Sequence, residues 1–131
     1  MRRINKGDVS IFCRGLALSL ACLLAWLQGV PPACAGQFRV FKKTYVRGPG
    51  APVTLTDAFA VLNPATTWTL RAINGSLTDS SVEQVAGSTA KLNGADVLQP
   101  NHFSQRVNLI EVPVTLQSNN IFSTQVRGKP G

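Results

Sequence analysis

Apolar and polar residues alternate along Val107–Leu116, with Ile110, Val112, Val114 and Leu116 set against Glu111, Pro113 and Thr115. A period of two over this length requires an extended strand with one buried face and one wet face. Pro113 has no N–H to donate, so its position belongs at an edge, a bulge or a bend. The same texture recurs along the chain between turn residues. Gln37–Arg47 stops at Gly48-Pro49-Gly50, and Val53–Leu62 stops at Asn63-Pro64. Thr66–Ile73 sets Trp68, Leu70 and Ala72 against Thr67, Thr69 and Arg71 before Asn74-Gly75. Asn93-Gly94 joins Ala90–Leu92 to Ala95–Leu98 and reads as a hairpin with a type I′ turn. Ser80–Ser88 is a weaker extended stretch, and Pro100-Asn101 breaks the chain again. After Ser118-Asn119-Asn120, a last strand points Phe122, Thr124 and Val126 inward. Breaks at roughly every eight to twelve residues mark a sandwich or barrel. No stretch combines a 3.6 period with caps, so little helix is expected. The fold predicted is an all-β, antiparallel β-sandwich, Ig-like or jelly-roll-like, of about seven short strands.

The N-terminal segment follows different rules. Arg2, Arg3, Lys6 and Arg14, against Asp8 alone, form a positive region ahead of the unbroken apolar run Gly15–Leu27. That run fits the roughly 7–15 residues of a secretory signal core and falls short of the roughly 20 needed to span a bilayer. Gln28, Gly29, Pro31 and Pro32 end it, and Ala33-Cys34-Ala35 has the small-x-small pattern of a signal peptidase site, with cleavage before Gly36. Lipidation at Cys22 or Cys34 is disfavoured, because Ser19 and Pro31 occupy the places where a large aliphatic residue is wanted. The expected organisation is a signal-peptide helix within residues 1–35 and a single sandwich domain over 36–131, secreted, periplasmic or on the cell surface.

Cleavage there has two consequences. Cys13, Cys22 and Cys34 all leave with the signal, so the mature chain has no cysteine for a disulfide or a thiolate metal site. The formal charge of +7 loses four basic residues and Asp8, and falls to +4. The remaining basic residues are scattered apart from Arg39, Lys42, Lys43 and Arg47. That balance supports solubility and does not point to nucleic acid.

A set of landmarks runs in order along the mature chain: Thr69-Leu70-Arg71-Ala72-Ile73-Asn74-Gly75, Leu92-Asn93-Gly94 with Val97, Pro100-Asn101, Phe103, Gln105-Arg106-Val107, Pro113-Val114-Thr115-Leu116, Asn119-Asn120 and Arg127-Gly128-Lys129-Pro130-Gly131. Together they resemble a small β-sandwich module of large exported or cell-surface proteins of environmental bacteria, a module with no established activity. The resemblance implies a fold and a location rather than a chemistry. It also implies one more strand after the Lys-Pro-Gly turn. Without it, the strand ending at Arg127 would be an open edge, with Asn120, Phe122, Thr124 and Val126 as an interface for strand addition by another chain.

Reactive groups are sparse. His102 is the one histidine and sits in a turn-rich stretch, no nucleophile elbow is present, and Asp57, Asp79, Glu83, Asp96 and Glu111 are separated. A nucleophile needs a base held by a third group, and the sequence points to none. There is no EF-hand loop, though Asp79 or Asp96 with loop carbonyls could hold calcium. Neither catalysis, nor a metal, nor a cofactor is expected. Carbohydrate binding is the alternative reading: sugar faces stack on exposed rings, and Tyr45 and Trp68 are the candidates, although Trp68 shares its strand face with Leu70 and Ala72. The function expected is a non-catalytic structural or adhesive module, touching a membrane only through its transient signal.

Overall fold

The computed structural model describes residues 6–13, 37–79, 82–104 and 106–128. Eight strands form there: β1 (Lys6–Cys13), β2 (Phe38–Val46), β3 (Thr54–Ala60), β4 (Trp68–Asn74), β5 (Gly87–Leu92), β6 (Ala95–Leu98), β7 (Leu109–Val114) and β8 (Asn119–Arg127). The only helical element among the described residues is a 3-10 turn, Pro100–His102. The strands make two antiparallel sheets, in the orders β2-β1-β4-β7 and β3-β8-β5-β6.

Their apolar faces meet. Trp68, Leu70 and Ala72 of β4 and Phe122 and Val126 of β8 share one core with Leu92, Leu98 and Leu116. Aromatic rings tie the layers together on the β2 side, where Phe41 stacks on Phe59 at 4.7 Å between centroids. Phe122 lies 5.7 Å from Phe41 and 6.0 Å from Tyr45. Offset and tilted rings at these separations add stability beyond the area they bury.

Turn chemistry places the elements. Asn93 and Gly94 take positive φ values of 52° and 85°, as a type I′ hairpin between β5 and β6 requires. Gly75 ends β4 at φ 82°, and a Cβ there would meet the Val82 carbonyl oxygen at 3.2 Å, so both conformation and space call for glycine. Pro113 is on β7, an edge strand, where a missing donor costs no ladder bond.

Three expectations require correction. The strand anticipated over Ser80–Ser88 starts only at Gly87; within that stretch, Ser80 and Ser81 lie outside the described residues. Ile110, Val112 and Val114 face the core but remain half-buried, because an edge strand is covered on fewer sides. The third concerns β8. Asn120, Phe122, Thr124 and Val126 are on an interior strand, hydrogen-bonded to β3 on one side and β5 on the other, so they are not an open edge. Alternation reports the face a residue points to and is silent on which strands flank it.

The folded unit also reaches further toward the N-terminus than a domain starting at Gly36. β1 lies between β2 and β4, inside the region read as a signal. The apolar run 15–27 expected as a signal helix, the cleavage residues Ala33, Ala35 and Gly36, and the turn Lys129-Pro130-Gly131 all lie outside the described residues.

Buried polar groups brace the loops. Asn74 is fully buried at the end of β4; its side chain accepts from the Val85 N–H at 2.7 Å and donates to the carbonyls of Val85 (3.1 Å) and Ser104 (3.2 Å). Asn120 joins the β7–β8 turn to the β5–β6 turn, accepting from Gln117 N–H (2.8 Å) and from the Asn93 amide (2.9 Å). Replacing Asn74 with alanine strands three backbone groups. The expected loss is about 3 kcal/mol, since each buried unpaired group costs roughly 1–3 kcal/mol. Denaturant melts of the variant check this, and a loss under about 0.5 kcal/mol would show that water replaces the amide.

Candidate functional site

The first of the two sheets is completed by a strand from the N-terminal segment. Lys6-Gly7-Asp8-Val9-Ser10-Ile11-Phe12-Cys13 alternates, and the strand it forms sends Val9 and Ile11 into the core while Cys13 packs against it. Ile11 is completely buried and Val9 is 8% exposed. β1 runs antiparallel to both neighbours, so β2 and β4 are parallel to each other. Adjacent strands lie about 4.8 Å apart, which puts β2 and β4 roughly 10 Å from one another, too far to pair directly. β1 therefore occupies a slot one strand wide. Residues 14–37 separate it from β2, whereas antiparallel neighbours joined as hairpins ordinarily need only about 2–5 residues.

The register defines what the slot contacts. Ile11 lies opposite Phe41 on one side and Leu70 on the other, and Val9 opposite Lys43 and Ala72. On the other face of the strand, Ser10 lies between Lys42 and Arg71 and Phe12 between Arg39 and Thr69, and both side chains are buried as well. Asp8 accepts a hydrogen bond from the Thr44 hydroxyl. A bulge in β2 leaves Val40 without a partner in β1. A Cβ on Gly7 would stand 3.5 Å from the Ile73 carbonyl oxygen, an ordinary contact, so the slot does not demand glycine at that place.

A polar latch closes the sheets at the β2–β3 side. Lys43 Nζ reaches Asp57 Oδ1 at 2.9 Å, and the Tyr45 hydroxyl donates to Asp57 Oδ2 at 2.8 Å. The Lys43 hydrogen bond, then that from Tyr45, holds the Asp57 carboxyl below its ordinary range. Burial, then the bond to Asp57, raises the Tyr45 hydroxyl well above its own. Because the folded carboxyl titrates lower than the unfolded one, the latch contributes in full above about pH 4 and is lost as pH falls through the lowered value. The expected size is on the order of 1 kcal/mol. Stability measured from pH 7 to pH 2 for the wild type and Asp57→Asn checks it: the difference should shrink on acidification, and a constant difference would remove the latch.

Tyr45 and Trp68, the two rings anticipated as ligand contacts, are each 3% exposed and belong to the core. They do not form a ring platform, which corrects that expectation. Trp68 is held there by its alternation with Leu70 and Ala72, and Tyr45 by packing on Phe122. The remaining groups with reactive chemistry stand in separate settings. His102 is exposed at the 3-10 turn, where Nδ1 accepts from the Gln99 N–H at 3.3 Å. Asp96 pairs with Lys91 at 3.2 Å and Glu111 with Arg71 at 3.8 Å. Among the described residues, no group of three or more His, Cys, Asp or Glu side chains converges as a metal site would require.

One groove of about 660 Å³ lies where the β5–β6 and β7–β8 turns meet β3, lined by Phe59, Asn93, Gln117, Asn119 and Ile121 among others. Sequence reasoning anticipated neither this groove, nor the Lys43–Tyr45–Asp57 latch, nor the slot. The spacing of Lys43 and Tyr45 at i and i+2 places both on one strand face, which was the available signal for the latch. Comparison of the chain with protein-family models, with curated proteins and with solved structures found no match.

Proposed function

We propose that the chain is an exported, non-catalytic β-sandwich module, Ig-like or jelly-roll-like, with a structural or adhesive role outside the bacterial cytoplasm. One observation carries the non-catalytic part. The buried polar side chains that come together, Asn74, Asn120 and the Ser88–Thr124 hydroxyl pair, are engaged in bracing turns and strands. His102, Asp96 and Glu111 lie apart from one another, and Lys43, Tyr45 and Asp57, which do meet, join β2 to β3 across the two sheets. Export rests on the charged, apolar and small-residue sequence of residues 1–35. The tagged full chain, expressed in a bacterium and fractionated, should yield a product beginning at Gly36 outside the cytoplasm. Recovery of intact chain in the cytoplasm alone would overturn export.

The second reading, a carbohydrate-binding module, loses its ring platform with the burial of Tyr45 and Trp68. What favours it is the groove at the turns, where exposed amides of Gln117 and Asn119 flank apolar Phe59 and Ile121. Amides bond sugar hydroxyls, and an apolar wall covers the C–H face of a pyranose. Retardation of the protein in polysaccharide gels, abolished by Gln117→Ala with Asn119→Ala, would establish it; unretarded migration on a broad glycan set would exclude it.

A further inference from the structure

We infer that the groove where β1 ends, β2 begins and β3 gives way to the loop before β4 binds a single-chain anionic amphiphile, an acyl chain carrying a carboxylate of the fatty-acid class. The inference goes beyond the reading of an exported module and does not rest on export, since the side chains that select the ligand lie between Phe38 and Trp68.

The groove holds about 450 Å³, within the roughly 300–1,000 Å³ of small-molecule sites. Its walls are apolar, built from Phe38, Val40, Val61 and Leu62. Leu62 is fully exposed and Phe38 largely so. Two large apolar side chains standing in water beside one groove mark a surface that an apolar partner covers. The polar side chains of the lining are rich in donors and poor in free acceptors. Arg39 is exposed there, and the lining contains no Asp or Glu. Trp68 also lines the groove, and its buried indole N–H has no acceptor among the described residues. The side-chain oxygen of Asn63 is taken by the Ala65 N–H at 3.3 Å, and the Thr66 hydroxyl donates to the Asn63 carbonyl at 3.4 Å. A carboxylate only accepts, so it suits a lining of donors, and its charge matches Arg39. The chain's own apolar run Gly15–Leu27 is the competing occupant, because Cys13 and Phe38 both line the groove, but it contains no acid to match Arg39.

Equilibrium dialysis of the full chain against radiolabelled dodecanoate, kept below its micelle concentration, reads the site. About one dodecanoate per chain should bind, with a Kd of roughly 1–100 μM. Leu62→Asp removes an apolar contact and sets an acid in the groove, and it should weaken binding about tenfold. Arg39→Gln should weaken it about two- to fivefold, the range for an exposed charge pair. Both side chains are exposed, so the variants keep the fold. Ile121→Asp, the same kind of exchange in the other groove, should bind as the wild type does. Dodecyltrimethylammonium, with an equal chain and a cationic head, should bind the wild type about fivefold more weakly than dodecanoate. No binding of dodecanoate, the result if Gly15–Leu27 fills the groove, would overturn the site. Binding that Leu62→Asp and Arg39→Gln leave unchanged would put the ligand elsewhere and overturn it too. Equal affinity for the two amphiphiles would remove selection for a carboxylate. Sedimentation with phosphatidylglycerol vesicles separates a bilayer from a free ligand: a chain that binds vesicles and no dodecanoate would contradict the proposal.

Discussion

Ile11→Ala is expected to lower the stability of the full chain by about 2–5 kcal/mol, the range for emptying a fully buried aliphatic site. Ile11 has no exposed surface and lies between Phe41 and Leu70. Its loss leaves a cavity that the strand cannot close, because ladders on both sides fix the backbone of β1. Ile11→Asp should be more damaging still, since it buries an unpaired carboxylate. Against a typical total of about 5–15 kcal/mol, that substitution should prevent folding at ordinary temperature. Asp8→Ala, on the opposite face of the same strand, is the control and should cost under about 1 kcal/mol. Urea melts of the three variants decide the matter. Equal and negligible effects at Ile11 and Asp8 would mean that Lys6–Cys13 contributes nothing to the core.

Phe122→Ala is expected to cost about 3–5 kcal/mol. Its ring has no exposed surface and is the point where β8 meets Phe41 and Tyr45 of the other sheet. Removing it separates the layers at their most aromatic contact. Ile121, the next residue along, is 57% exposed, and Ile121→Ala should stay within about 0.5 kcal/mol. The pair thus tests the register of β8 directly, since a slip of one residue would reverse the two results. Thermal melts should separate the variants by many degrees, because for a domain of this size about 1 kcal/mol shifts the midpoint by roughly 4–8 °C.

The strands legible in the sequence were those bounded by strong turn residues. β2, β3, β4, β7 and β8 fall where Gly48-Pro49-Gly50, Asn63-Pro64, Asn74-Gly75 and Ser118-Asn119-Asn120 delimit alternating runs. The β5–β6 hairpin follows from Asn93-Gly94, whose backbone preference is local. Neighbourhood was not legible. Nothing in Asn119–Arg127 announces that β3 and β5 will bracket it, since pairing partners are chosen by contacts distant in sequence. Trp68 in the core could be read from its shared face with Leu70 and Ala72, whereas Tyr45 could not, because its covering ring, Phe122, lies on another sheet. β1 was hidden by context. Val9, Ile11 and Cys13 alternate with Asp8, Ser10 and Phe12 as any strand would, but basic residues and an apolar run on either side give the segment the texture of a signal. The Asp57 latch was partly legible: Lys43 and Tyr45 share a face, but the carboxylate that joins them comes from β3.

Central to this account is a first sheet completed by a strand from the N-terminal segment. Amide hydrogen exchange on the full chain tests it most directly. With β1 bonded to both β2 and β4, the amides from Val9 to Cys13 should be protected to a degree comparable with those of Trp68–Asn74. Exchange of Val9–Cys13 at the rate of an unfolded peptide, while Trp68–Asn74 stays protected, would contradict it.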